Sequence, residues 1–152
     1  MSSRLNRQVQ SVKKHRKVRS KKSKNLQASG WLNPQNWDIS LEEAAYALKM
    51  PVEKIVKVRN LKYQVIVVYL NADNKKCCSF FSYRLFERWH TEVINVILSC
   101  NDDEELAKLG DIVQYEIENF PYTKAQSNYI WETLIDQISM IAIALGLKQQ
   151  AA

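Results

Sequence analysis

The hydrophobic pattern after residue 38 starts with a helical period. Ser40-Leu41-Glu42-Glu43 is a capping box, in which a serine hydroxyl and a glutamate three residues later satisfy free amides at a helix start. Apolar residues recur at helical spacing as far as Leu48. A second apolar series that starts at Pro51 predicts another short helix over residues 51–60. Two short helices joined by a turn at residues 49–50 are a helix-turn-helix candidate.

A strand pattern follows these two predicted helices. The β-branched run Gln64–Leu70 predicts one strand, and 75–81 predicts a second strand that returns as a hairpin through turn residues 71–74. The first strand is apolar at both phases of its alternation, so we expect it to be covered on both faces. Ser82 then caps a predicted helix with an apolar stripe that reaches Ile97. Helix, turn, helix, hairpin and helix is the order of a winged helix.

The last third of the chain is predicted to be helical. A carboxylate-rich cap at 101–105 opens one helix, and Pro121 ends it. Thr123 and Gln126 form another capping box, whose helix is predicted to stop at Gly146. Near its end this helix is apolar almost all round, so a partner chain is a reasonable source of cover. We expect dimerisation through one stripe of this helix, formed by Ile130, Leu134, Ile138, Ile141 and Leu145.

Charge is distributed unevenly along the chain. The first 24 residues contain ten Lys or Arg and no acidic residue, whereas the body holds all 16 Asp and Glu. Such an arm cannot bury enough apolar surface to fold alone, and its natural partner is a polyanion. A solubilising tail is the alternative. The segment 31–37, with a tryptophan at each end, is expected to dock the arm against the body. The arm residues that we expect to bind nucleic acid are Lys13, Lys14, Arg16, Lys17 and Arg19.

Several function classes find no support in the residues. No apolar run reaches the roughly 18 residues of a membrane span, and the start of the chain lacks the apolar stretch of a secretory signal, so a cytoplasmic, nucleoid-associated location is expected. Three cysteines in no zinc spacing indicate reduced thiols and no metal site. Three glycines and two histidines provide neither a phosphate loop nor a nucleophile-base pair, so we expect no enzyme, no cofactor and no small-molecule ligand.

Residues 38–89 resemble the winged helix-turn-helix of MerR-type regulators and the related excisionases. The similar parts are the opening residues 39–45, the proline-started second helix, and the hairpin that runs into residues 81–89. In that family the second helix enters the DNA major groove and the wing touches phosphates. The resemblance therefore implies groove or backbone contacts at Lys54, Lys57, Arg59 and Asn60, wing contacts at Lys75 and Lys76, and phosphate contacts at Arg84 and Arg88.

These patterns predict an α+β fold, mainly α with one β-hairpin. They divide the chain into a disordered basic arm (1–30), a winged helix-turn-helix DNA-binding domain (31–98) and a helical dimerisation region (99–152). The expected function is that of a sequence-specific transcriptional regulator, a dimeric repressor that binds double-stranded DNA. Two alternatives stay open: an RNA- or ribosome-associated protein with a basic arm, and an adaptor whose acidic helical half binds another protein.

Overall fold

The protein has the α+β fold that the sequence predicts. The computed structural model describes residues 25–151, which form four α-helices and one three-stranded antiparallel sheet in the order β1-β2-β3. Short 3-10 helices lie at Pro34–Asn36, Val52–Lys54 and Tyr83–Leu85. In chain order the main elements are α1 (Leu41–Leu48), β1 (Ile55–Asn60), β2 (Gln64–Leu70), β3 (Lys76–Ser82), α2 (Glu87–Ser99), α3 (Asp103–Asn119) and α4 (Lys124–Ala151).

The predicted second helix at 51–60 is wrong, because this segment forms a 3-10 turn followed by β1. Lys49 ends α1 in the left-handed region with φ 56°. The β-branched residues that follow favour a strand, and Val58 alternates with two basic neighbours at the two-residue period of a sheet. β1 pairs antiparallel with β2, so the predicted hairpin is part of a three-stranded meander. The helix-turn-helix predicted for residues 41–60 is therefore absent, because its second helix is a strand.

The capping residues start their helices as the sequence indicates. Ser40 Oγ accepts a hydrogen bond from the Glu43 amide at 3.0 Å, although the Glu43 carboxylate accepts from Arg88 instead of returning to the helix start. The box at α4 is reciprocal. Thr123 Oγ1 accepts from the Gln126 amide at 3.1 Å, and the Gln126 side chain accepts from the Thr123 amide at 2.9 Å. Both helix starts are thus encoded locally.

The start of α2 differs from its prediction by one turn. Ser82 Oγ accepts from the Arg84 amide at 3.2 Å, but the turn that it caps is the 3-10 helix Tyr83–Leu85. Phe86 then adopts an extended conformation and is fully buried, and α2 begins at Glu87. The burial of this ring interrupts what the sequence presents as one continuous helix.

Helix α4 continues past Gly146, where the sequence predicts its end. A single glycine costs a helix only about 1 kcal/mol relative to alanine. That cost does not stop a helix whose flanking residues favour the helical conformation. The part Lys124–Leu147 is long and apolar enough to cross a membrane by length and composition, a test that core helices of water-soluble proteins also pass.

One hydrophobic core joins the sheet to the helices. Val65 and Val67 of β2 have no exposed surface and belong to the same cluster of buried side chains as residues of all four helices. The sheet is therefore covered by helices on this face. The buried members from α2, α3 and α4 are Trp89, Val93, Ile97, Leu106, Leu109, Val113, Ile130, Leu134 and Ile141.

The base of the arm is part of the folded body. Leu26 is 1% exposed, so the predicted boundary of the arm at residue 30 is wrong and the body begins by residue 25. The expected docking role of 31–37 is confirmed, because the Trp37 ring packs edge-on against Tyr83 and Trp89, with centroids 5.8 and 6.4 Å away. The arm residues Lys13, Lys14, Arg16, Lys17 and Arg19 lie outside the described residues.

Candidate nucleic-acid interface

The sheet has one face that the helices do not cover. Side chains alternate along β2, so that Val65 and Val67 are buried while Ile66 and Val68 point the other way and stay half-exposed. The expectation that this strand is covered on both faces is therefore wrong. We call the uncovered side the open face. Its residues are Lys57, Arg59, Gln64, Ile66, Val68, Leu70, Lys76, Cys78, Phe80 and Ser82.

The strand register places an exposed aromatic ring in line with a cation. Arg59 lies opposite Ile66, which in turn lies opposite Phe80. Adjacent strands are about 4.8 Å apart, so the backbones of Arg59 and Phe80 are separated by about 10 Å. Phe80 is 58% exposed, an unusual position for a phenylalanine. Two residues along β1 from Arg59, a second basic residue, Lys57, lies opposite Val68.

The open face is positively charged. Its ten positions include three basic residues and no acidic one. Lys57 and Arg59 are exposed on the edge strand β1, and Lys76 is exposed on the opposite edge strand β3. Lys62 and Lys75 are exposed in the turns at the two ends of β2. An anionic chain that crosses the sheet would meet positive charge on both sides of an apolar centre.

Lys54 lies at the margin of this surface and is partly engaged. Its ammonium donates a hydrogen bond to Asn74 Oδ1 at 2.7 Å. Asn74 has φ 57° and closes the turn between β2 and β3. The contact ties the 3-10 turn before β1 to the far hairpin, so the half-buried Lys54 has a structural role besides its charge.

Asn60 does not face an external ligand, which corrects its predicted role in base recognition. Its side chain lies on the buried side of β1, where the amide Nδ2 donates to the carbonyl oxygens of Trp37 at 2.6 Å and of Pro34 at 3.3 Å. This amide holds the docking segment against the sheet. The strand conformation sends Asn60 and Arg59 to opposite faces, whereas the predicted helix would have left both exposed.

Arg84 and Arg88 both form ion pairs within the fold, and the burial of Arg84 shows that its predicted phosphate contact is wrong. Arg84 is 6% exposed and forms a buried ion pair with Glu116. Its guanidinium carbon lies 3.6 Å from the centroid of the Phe120 ring, which covers its planar face. Arg88 pairs with Glu43 at 2.6 Å. Arg84 is neutralised within the fold, as a buried cation requires, and Arg88, although partly exposed, is paired with a carboxylate of its own chain.

A polar network around Glu116 fixes the base of the arm. The Glu116 carboxylate accepts from the Leu26 amide at 3.3 Å and from the Tyr122 hydroxyl at 2.8 Å. Burial and the adjacent carboxylate raise the pKa of Tyr122, so this phenol remains a donor. Gln27 extends the network, because it accepts from Arg84 Nη1 at 3.3 Å and donates to the Tyr63 carbonyl at 3.4 Å. The arm is thus attached beside the turn between β1 and β2, at one end of the open face.

The residues predicted for dimerisation fall into two groups. Ile130, Leu134 and Ile141 are 2%, 3% and 8% exposed because they pack into the core of their own chain. They are not available to a partner, which corrects that part of the prediction. Ile138 and Leu145 are 49% and 42% exposed.

Phe80 is the residue that the sequence analysis overlooked. Its exposure could not be inferred from β3 alone, because Phe80 and Phe81 are adjacent and either could face the core. The alternation Lys57-Val58-Arg59 was the available signal, since it marks a strand with one basic face. Once β1 is a strand, the register places Phe80 on that same face.

Comparison with protein-family models, with curated proteins and with solved structures found no match. The resemblance to MerR-type regulators therefore rests on the sequence pattern alone, and the segment that it predicts as the second helix is a strand. A functional interpretation has to come from the geometry and the charge of the open face.

Proposed function

We propose that this protein binds single-stranded nucleic acid, with RNA as the preferred ligand, through the open face of its sheet and its basic arm. The observation that carries the proposal is the exposed Phe80 ring in one row with Arg59, on a face without acidic residues. Unpaired bases stack on exposed aromatic rings while Lys and Arg follow the backbone phosphates. Recognition of RNA commonly uses such unpaired segments.

The attachment point of the arm supports the same ligand. Gln27 holds the base of the arm against the carbonyls of Lys62 and Tyr63, close to the cationic edge of the open face. The ten basic residues of segment 1–24 are therefore tethered where a bound strand would enter or leave the sheet. Arm and sheet then add phosphate contacts to one polyanion, and each contact releases counterions.

Single strands fit the open face better than a duplex does. The dimeric repressor that the sequence suggested was expected to place a helix in the major groove, and the segment expected to provide that helix is β1. A β-ribbon also enters that groove and reads base edges by hydrogen bonds. The centre of the open face is Ile66, Val68 and Leu70, whose side chains have no hydrogen-bonding groups. This composition favours stacking and packing against bases over the reading of their edges.

The stacking role of Phe80 is testable by fluorescence anisotropy with a labelled 12-nucleotide RNA, the matching single-stranded DNA and the matching duplex. Phe80→Ala should weaken binding to RNA by about 5- to 150-fold, because one stacked base contributes about 1–3 kcal/mol. The control is Tyr46→Ala on α1, since Tyr46 is 75% exposed and lies outside the open face. Its affinity for RNA should equal that of the unmodified protein.

The phosphate contacts are testable in the same assay as a function of salt. Lys57→Ala and Arg59→Ala should each reduce the slope of log affinity against log salt by about 0.7 for a single strand. Lys108→Ala is the matched control, because Lys108 is an exposed lysine on the helical half. Tighter binding to the duplex than to either single strand, with Phe80→Ala without effect, would overturn the proposal.

A further inference from the structure

We infer that α4 presents a seam through which two copies of this chain associate, independently of nucleic-acid binding. The seam consists of Ile135, Ile138, Ala142 and Leu145. Their spacing of three, four and three residues has the 3.5-residue period of helices that pack side by side along their length. The stripe that α4 buries in its own chain is a different one, centred on Ile130, Leu134 and Ile141, and the seam runs along its flank.

Exposed apolar surface is concentrated on this helix. Of the fourteen large apolar side chains that are exposed among the described residues, seven lie on α4. Three of the seven belong to the seam, with Ile135 58%, Ile138 49% and Leu145 42% exposed. Ala142 between them is small and lets a second helix approach closely. Contiguous exposed apolar patches mark interaction surfaces, whereas single exposed apolar residues are common and need no explanation.

The length of α4 explains why its own chain leaves this surface uncovered. Its 28 residues span about 42 Å, whereas the 13 residues of α2 and the 17 of α3 span about 20 and 26 Å. Ile141 is the last deeply buried residue of α4 up to Leu147, where the description of side chains ends. Beyond it Ile143, Leu145 and Leu147 are all exposed. The C-terminal turns project past the helices that cover the first half.

A lipid bilayer is a poor occupant for this surface. Glu132 and Asp136 are exposed on α4, and the charge-free stretch 137–147 has only 11 residues, about 16 Å of helix. A membrane span needs about 20 apolar residues. Lys124–Leu147 is long and apolar enough by composition, but its first half buries Ile130 and Leu134 in the core of its own chain and exposes two carboxylates. A protein surface with a matching apolar stripe fits this length, and a second copy of α4 has one.

The charges favour an antiparallel pair. Glu132 flanks the N-terminal end of the seam, whereas Asp136 faces away from it, and no charged residue follows until position 148. Parallel helices would place the two copies of Glu132 at the same height along the pair, whereas antiparallel helices place each beside the uncharged half of the partner. An antiparallel pair is also isologous, so that the same seam serves both copies about a two-fold axis.

The dimer is expected to be concentration-dependent. Full burial of an Ile or Leu side chain removes on the order of 100 Å² from water, so the half-exposed seam residues of two copies bury a few hundred Å². This is small for a specific interface, and association should therefore occur in the micromolar range or above.

Sedimentation equilibrium of the full chain between 1 and 200 µM tests the proposal. The mass should rise from 17.7 kDa towards twice that value. Ile138→Asp should raise the dissociation constant at least 30-fold. Ile143→Asp is the control, because Ile143 is 61% exposed and lies off the seam. Circular dichroism should show both variants folded, since each replaced side chain is largely exposed.

Three results would overturn the proposal: a monomer at 200 µM, an equal effect of the two substitutions, or salt-independent binding to neutral lipid vesicles that both substitutions abolish. The antiparallel arrangement has its own test. A spin label at Glu132→Cys, with Cys77 and Cys78 replaced by Ser, should give an inter-copy axial separation of about 24 Å. Parallel helices would bring the labels to about 10 Å, which would overturn the antiparallel arrangement.

Discussion

Arg84 and Glu116 form a buried ion pair whose role is structural. Their side chains are 4% and 2% exposed, and three aromatic residues surround them. The Tyr122 hydroxyl, which donates to Glu116, itself accepts from Trp89 Nε1 at 2.8 Å. A sequence shows Arg84 only as a cation after a strand. Its partner is 32 residues away, and the choice between phosphate and carboxylate is made by tertiary packing.

Removal of the buried acid should be strongly destabilising. Glu116→Ala leaves the Arg84 guanidinium without its carboxylate in an apolar site, which costs about 3–5 kcal/mol. The same substitution removes the acceptor of the Leu26 amide. Urea denaturation should show a lower midpoint with an unchanged slope. Glu118→Ala, an exposed neighbour, is the control. A loss under 1 kcal/mol would show that the pair contributes little.

His90 should make stability depend on pH. Its Nε2 lies 3.0 Å from the Arg84 carbonyl, its Nδ1 is buried with no hydrogen-bond partner among residues 25–151, and Tyr122 packs edge-on against the ring. Burial lowers the pKa of His90, against smaller opposite effects from the Arg84 carbonyl and Glu87. The unfolded state then binds more protons below about pH 6.5. Stability contributed by neutral His90 is therefore complete above that pH and lost as the pH falls.

The measurement is the urea midpoint between pH 5 and 8 for the protein and for His90→Gln, which cannot acquire the charge. The variant should lose the part of the pH dependence that lies below about pH 6.5. The other histidine, His15, belongs to the arm. Identical pH profiles for the two proteins would contradict the assigned role of His90.

At the scale of elements, two capping boxes and one turn signal were correct, whereas the Ser82 cap and the Gly146 stop misplaced the ends of their helices. The capping residues locate α1 and α4, and the turn residues 71–74 locate the hairpin of β2 and β3. The segment 51–60 failed because its apolar residues fit both periods over so short a run. Pairing with β2 decided in favour of the strand, and that pairing is a tertiary effect. The sequence analysis did not find the open face, because it assigned the basic residues of β1 to a helix.

The end of α4 provides a test at the same scale. Gly146 is helical, and a methyl group added there would meet nothing within 4 Å. Gly146→Ala should stabilise the local helix by about 1 kcal/mol. Hydrogen exchange of the amides at 143–147 should slow about fivefold, while global stability stays within error. Unchanged or faster exchange would show that these turns are not helical in solution.

At the scale of the whole molecule, positive and negative charge are separated. Residues 51–82 hold six basic and two acidic residues, and the arm adds ten cations, whereas the helical half from α2 onward is acidic. The asymmetry was visible in the sequence, and it predicted a polyanionic partner. The sequence could not show that the base of the arm, at Gln27, lies beside the turn between β1 and β2. That attachment depends on the contacts of Gln27 with Tyr63 and Arg84.

Two truncations separate the charge of the arm from the structural role of its base. Deletion of residues 1–24 removes ten cations and no residue of the described core, so thermal stability should stay nearly constant. Affinity for RNA should fall broadly and its salt slope should flatten, because phosphate contacts are lost. Deletion of residues 1–30 also removes the buried Leu26 and the Gln27 contact to Arg84. Loss of such a core side chain costs about 2–5 kcal/mol.

The comparison is decisive because both truncated chains lack the same ten cations. Calorimetry should place the melting temperature of the shorter chain well below that of the other, with equal RNA affinity at temperatures where both are folded. If deletion of 1–24 destabilises the body as much as deletion of 1–30, the charged segment is itself structural. If it leaves the salt slope unchanged, the cations of the arm do not touch the bound strand, and the sheet alone accounts for binding.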